Sequence, residues 1–181
     1  MSKTSRLRGL PAALAACGLF AMAATPAFAD VVHGIRKAGA PGKAADITRT
    51  VTVEMYDSYY EPKSISVREG ETIRFVVRNS GELLHEFSIA TPAMHEAHRP
   101  EMMAMMESGM LEADRINHEA GGAMHGGKNG KMHDDPNSIL LEPGESGEIV
   151  WQFPRLGKLE FACNIPGHYE AGMVGKVKLT H

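Results

Sequence analysis

Eight short stretches in which apolar and polar residues alternate, each bounded by turn-forming residues, most constrain what this chain can fold into. They are "TVTVEMY" (50–56), "SISV" (64–67), "TIRFVVR" (72–78), "HEFSI" (85–89), "SILLE" (138–142), "GEIVWQF" (147–153), "GKLEFAC" (157–163) and "VGKVKLT" (174–180). A period of two sends successive side chains to opposite faces of a strand. Between the stretches lie "REGE" (68–71), "NSGE" (79–82), "EPGESG" (142–147) and "PRLG" (154–157), all rich in residues that favour turns. Short strands at this spacing predict an all-β fold, a β-sandwich. They account for roughly 100–110 residues of core-forming sequence, enough for one domain and too little for two.

The rest of the chain falls into three segments. Residues 1–29 read as an export signal: Lys3, Arg6 and Arg8, an apolar run from Leu10 to Ala24, then "AFA" ending at Ala29. Cleavage after Ala29 would deliver the chain to the periplasm. "LAAC" (14–17) raises the alternative of a lipid anchor on Cys17, but the apolar run continues past it through "GLFAMAA", which favours the soluble form. Residues 30–48 are rich in Ala, Gly and Lys and read as a flexible tether to a domain spanning 49–181. Within that domain, residues 90–137 form an insertion too long to be idle in a compact sandwich.

Composition excludes some classes. The signal holds three of the 19 Lys and Arg and none of the 22 Asp and Glu, which leaves the mature chain 16 against 22, a charge of −6. An acidic surface argues against a nucleic-acid partner. No segment after the signal approaches the roughly 20 apolar residues of a membrane span, and a monomer is expected.

Once Cys17 is removed, Cys163 is the sole cysteine in a compartment where cysteines usually pair. It lies in "FACNIPGHYEAGMVGKV" (161–177), with His168 and Met173 in the loop that follows. A loop tied to strands at both ends can bring these three side chains to one point, and Pro166, Gly167 and Gly172 supply the turns. His85, just after a turn at the start of a strand, is the natural fourth member. Two imidazoles, a thiolate and a weak thioether form the ligand set of a blue-copper site, where soft donors suit Cu(I) and imidazoles accept Cu(II).

"CNIPGHYEAGM" resembles the copper-binding loop of the cupredoxins, the family of plastocyanin and azurin, and "LLHEF" resembles their upstream histidine. The resemblance covers about residues 49–181 and implies a Greek-key β-sandwich. It implies His85, Cys163 and His168 as equatorial ligands of one type 1 copper and Met173 as the axial one. Together with "MYDSYYEP" and the Met-rich insertion, the residues are most similar to periplasmic cupredoxins associated with copper tolerance. Glu86 departs from the family, where Asn commonly follows the first ligand. Pointing opposite to His85, it is either an acceptor that fixes the ligand loop or an exposed carboxylate.

Between Met94 and His133 lie eight Met and five His in forty residues. "HEAHRPEMMAMMESGMLEADRINHEA" (95–120) reads mostly as helix, with Met102, Met103, Met106 and Met110 on one arc that would pack on the sandwich. His95, His98, His118, His125 and His133 read instead as polar residues, free to serve with Met as extra Cu(I) ligands. Added metal binding and simple packing both remain open for this segment.

These features predict a non-enzymatic copper-binding protein that acts in copper homeostasis or tolerance and cycles the metal between Cu(I) and Cu(II). The alternative is an electron shuttle between respiratory or photosynthetic redox partner proteins. An oxidase acting on Cu(I) finds no support, because multicopper oxidases carry His-x-His motifs and this sequence has none.

Overall fold

The computed structural model describes residues 37–120 and 135–181. The alternating stretches form strands: β1 (Ala40–Pro41), β2 (Arg49–Tyr56), β3 (Tyr59–Glu61), β4 (Ser64–Arg68), β5 (Thr72–Asn79), β6 (His85–Ala90), β7 (Ser138–Leu141), β8 (Ser146–Gln152), β9 (Leu159–Ala162) and β10 (Val174–Thr180). They build two five-stranded sheets, in the orders β1-β8-β5-β2-β3 and β4-β10-β9-β6-β7. β2 runs parallel to β5 and β4 parallel to β10, while the remaining pairs are antiparallel. All eight expected strands are present, and β1 and β3 join them.

The sheets enclose an aromatic centre. Phe75, Phe87 and Phe161 converge from β5, β6 and β9, with Phe87 centred 5.4 Å from each of the other two rings. Tyr60 of β3 packs edge-on to Phe161 at 5.1 Å and donates its hydroxyl to the Glu86 carbonyl at 2.6 Å. That bond satisfies a buried polar tip and pins the start of β6, the strand that opens with His85.

Residues 37–48, the described part of the expected tether, are held against the sandwich. Ala38 is fully buried, the Trp151 indole Nε1 donates to its carbonyl at 2.9 Å, and Gly42 N donates to Val150 O at 2.8 Å. A buried indole needs an acceptor for its N–H, and this chain supplies it from residue 38.

The insertion forms a helix over Pro92–Glu107. Thr91 caps its start, Oγ1 accepting from Met94 N at 3.3 Å, and Pro92 occupies the first turn where no backbone donor is needed. The helix thus begins and ends earlier than expected from the sequence, and Pro100 lies in its interior. It stops before Gly109, whose φ of 74° is a left-handed conformation that glycine adopts without strain. Its buried face carries His95, Met102 and Met105, with Met94 and Met106 partly buried beside them. Met110 is also buried but lies in the following loop, whereas Met103, expected on the packed arc, is 45% exposed. Residues His95, His98, Met102 and Met105 follow the i, i+3, i+7, i+10 spacing of one helical face.

This helix explains β6. All six residues of that strand are buried, although a two-sheet sandwich covers only one face of each strand. On the outer face, Glu86 meets His98 of the helix and Ser138 of β7.

Candidate metal centre

His85 opens β6, Cys163 directly follows β9, and His168 sits in the loop that leads to β10. That loop is closed by its own backbone. Cys163 N donates to Met173 O at 3.2 Å, Met173 N to His168 O at 3.0 Å, and His168 N to Ile165 O at 3.0 Å. Cys163 and Met173 are thereby fixed side by side, and both are fully buried.

One ligand atom from each of His85, Cys163 and His168 lies within 4.8 Å of the other two. Nδ1 of His85 is 3.2 Å from Nδ1 of His168, and Cys163 Sγ is 3.4 Å from the same His168 nitrogen. Atoms bonded to one transition metal at about 2.0–2.3 Å stand at separations near these. Among the described residues this is the one cluster of three or more such donors.

The electrostatics suit a metal. Burial, reinforced by the neighbouring His85, holds His168 below the usual imidazole value. Burial also lowers His85, against the opposing pull of Asp57. Both rings are therefore neutral near pH 7 and offer lone pairs. Burial and then the charge of Glu86 push the Cys163 thiol far up. A thiolate at this position consequently needs a cation, and a soft one is the best match for sulfur. Backbone N–H groups of Glu86, at 3.3 Å, and of Ile165 point at the sulfur and would share its charge.

A polar scaffold surrounds these donors. Glu86 is fully buried, and its Oε2 accepts from Asn164 N at 3.0 Å and Asn164 Nδ2 at 2.7 Å. Oε1 accepts a short hydrogen bond from Ser138 Oγ and lies 3.6 Å from His98 Nε2. Asn164 Oδ1 in turn contacts His95 Nδ1 at 3.1 Å. Burial alone would raise the Glu86 carboxyl, but His98, Ser138 and Asn164 outweigh it and keep the group ionised. His98, despite its own burial, is raised to about 9 by Glu86 and by Glu101, whose Oε2 is 3.1 Å from Nδ1. Of the two sequence readings of Glu86, the acceptor that fixes the ligand loop is the one realised.

His95 and His98 differ from their expected role as unattached donors, because their helical register with Met102 and Met105 places them on the packed face. His118 is exposed, and Met124, His125, Met132 and His133 lie outside the described residues. Asp57 and Asn164 were not singled out in the sequence. Asn164 follows Cys163 directly, which is a usable signal, whereas nothing in "YDSYY" marks Asp57 as a neighbour of His85.

Residues 47–180 match the family described as copper binding proteins, plastocyanin/azurin family. The chain is 46% identical over 176 residues to the copper-resistant cuproprotein CopI of Pseudomonas aeruginosa, covering 94% of this chain and 96% of that protein. It is 42% identical over 179 residues to the CopI of Rubrivivax gelatinosus, covering 92% and 94%. Among solved structures, auracyanin B aligns with a TM-score of 0.56 at 20% identity, over 79% of this chain and 96% of that one, a likeness of fold. The chain belongs to the plastocyanin/azurin family of copper-binding proteins, with the all-β cupredoxin fold and a helical insertion. Its cofactor is copper, and the His85–Cys163–His168 cluster fits a type 1 site.

Proposed function

We propose that this protein serves copper tolerance in the periplasm, taking up copper at one type 1 site and cycling it between the two oxidation states as a binding protein rather than an enzyme. The observation that carries this reading is the identity to two proteins named copper-resistant, which extends over nearly the whole chain, insertion included. His85, Cys163 and His168 would hold the metal, with the buried thioether of Met173 beside Cys163 as a weaker soft donor. Copper supplies a one-electron change between Cu(I) and Cu(II). The chain supplies the rest: two neutral imidazoles, a sulfur flanked by backbone donors, and a buried scaffold that keeps the donors in place whichever charge they carry. Export rests on the basic, apolar and small-residue pattern of residues 1–29.

The test is genetic. A deletion strain is expected to grow normally when copper is scarce and poorly when it is abundant, with rescue by the wild-type gene and none by Cys163→Ser. A respiratory or photosynthetic defect at low copper, with unchanged copper sensitivity, would favour a dedicated electron shuttle. Fractionation of cells checks the periplasmic location.

A further inference from the structure

The nitrogen of His85 that does not face Cys163 and His168 is also held. Its Nε2 lies 2.9 Å from Oδ1 of Asp57, twenty-eight residues earlier in the chain. Asp57 sits in the turn between β2 and β3, where Ser58 takes a φ of 73° and Tyr56 stacks on Tyr59 at 4.9 Å. The same carboxylate accepts backbone N–H groups from Glu82, at 3.1 and 3.3 Å to its two oxygens, and from Leu83 at 3.3 Å. Those residues belong to the 80–84 segment that delivers the chain to His85. Asn79 braces that segment from the other side, accepting from Gly81 N at 3.0 Å and donating to Leu83 O at 2.7 Å.

The space between carboxylate and ring is kept clear by Gly81. A methyl there would stand 2.4 Å from Asp57 Oδ1 and 3.0 Å from His85 Nε2. Asp57, Gly81 and His85 thus form one fitted unit.

We propose that Asp57 is a positioning residue of the copper centre, orienting His85 and setting the balance between the two copper oxidation states. The inference rests on His85 being a copper ligand, as proposed above. With Nε2–H donating to Asp57, the lone pair of neutral His85 resides on Nδ1, the atom that faces His168. A carboxylate on the remote nitrogen makes an imidazole a stronger donor. It also adds negative charge near the metal, and both effects favour Cu(II) over Cu(I). The site therefore has a lower reduction potential than one whose first histidine is held by a neutral acceptor.

Asp57→Asn tests this, because the amide keeps an acceptor oxygen for His85 and for the turn while removing the charge. The affinity ratio of Cu(II) to Cu(I), measured by competition with chelators, is expected to fall about tenfold, read as a rise of about 59 mV in reduction potential. The visible spectrum and a stoichiometry of one copper should persist. Gly81→Ala, which leaves the charge but wedges the pair apart, is expected to shift the potential in the same direction. In the metal-free wild type, 15N NMR should show His85 protonated on Nε2, and Asp57→Ala should mix the tautomers.

An unmoved potential in Asp57→Asn, with copper still bound and only thermal stability lost, would reduce Asp57 to a turn cap and overturn the proposal. Failure of the wild-type protein itself to take up copper would overturn the reading of the site, and the proposal with it.

Discussion

Glu86 and Asn164 are joined twice, Oε2 of the carboxylate accepting both the backbone N–H and the side-chain amide at 3.0 and 2.7 Å. Each is the chain neighbour of a site residue, Glu86 of His85 and Asn164 of Cys163. The pair therefore locks the two strand ends that carry the site. The oxygen of a neutral amide could accept both bonds, but its nitrogen could not accept from Ser138 and it would not balance His98. Glu86→Ala is expected to cost about 3 kcal/mol, because it removes the buried carboxylate that faces His98 and leaves both Asn164 donors without their acceptor. Urea denaturation of the metal-free protein checks this, and the visible band of the copper form should broaden or shift as the loop loosens.

His98 gives the protein an alkaline sensitivity. Its value in the folded state is raised to about 9, against about 6.5 in an unfolded chain. A group raised on folding contributes stability fully below its unfolded value, and that contribution is lost as pH rises through the folded one. Wild-type stability should therefore fall between about pH 6.5 and 9, by roughly 1–3 kcal/mol. His98→Gln should be less stable at pH 6 and nearly flat across that window. Equal slopes in the two proteins would show that the His98–Glu86 pair contributes nothing.

Charge transfer from a thiolate to Cu(II) gives intense colour, so Cys163→Ser should remove the visible band and leave the sandwich folded. A coloured Cys163→Ser protein would sink the assignment of Cys163. Met173→Leu is expected to keep copper but raise the reduction potential, since a thioether stabilises Cu(II) more than a hydrocarbon does. The two variants separate an essential donor from a tuning one by absorption and voltammetry.

The helix distinguishes its methionines. Met102 is fully buried and Met103 is 45% exposed, although they are adjacent and both were expected on the packed arc. Met102→Ser should cost about 2–5 kcal/mol through the cavity and the buried hydroxyl, whereas Met103→Ser should stay within about 0.5 kcal/mol of wild type. Thermal melts of the two variants decide it.

What was legible in the sequence is what local chemistry controls. Most of the eight longer strands carry the period of two of a half-buried strand, and the Cys-His-Met loop is contiguous, so both are legible in the sequence directly. β1 has two residues and β3 three, too few for any period to register. The burial of Ala38 depends on Trp151, more than a hundred residues away, and so left no local mark. The link from Asp57 to His85 is likewise a product of tertiary folding, between a turn and a strand end. The burial of His95 and His98 is a different case. Their helical register with Met102 is present in the sequence, but the partners that satisfy their polar rings, Asn164 and Glu86, come from the loop after β9 and from β6.

The last prediction concerns the thirteen Met and His residues between 94 and 133. Packing explains part of that richness: Met102, Met105 and Met110 are buried, and His95 and His98 are engaged with Asn164 and with Glu86 and Glu101. Met124, His125, Met132 and His133 lie outside the described residues, and in the sequence they are set among Gly and Lys. If those residues bind metal, titration with Cu(I) or Ag(I) should exceed one equivalent. Excising Ala123 to His133 should then abolish most of the excess without changing the visible spectrum, because the type 1 donors lie elsewhere in the chain. Cys163→Ser should show the converse, losing the colour and keeping the excess. Saturation of the intact protein at one equivalent would defeat the idea, and the Met content of the helix would be sufficiently explained by its buried face.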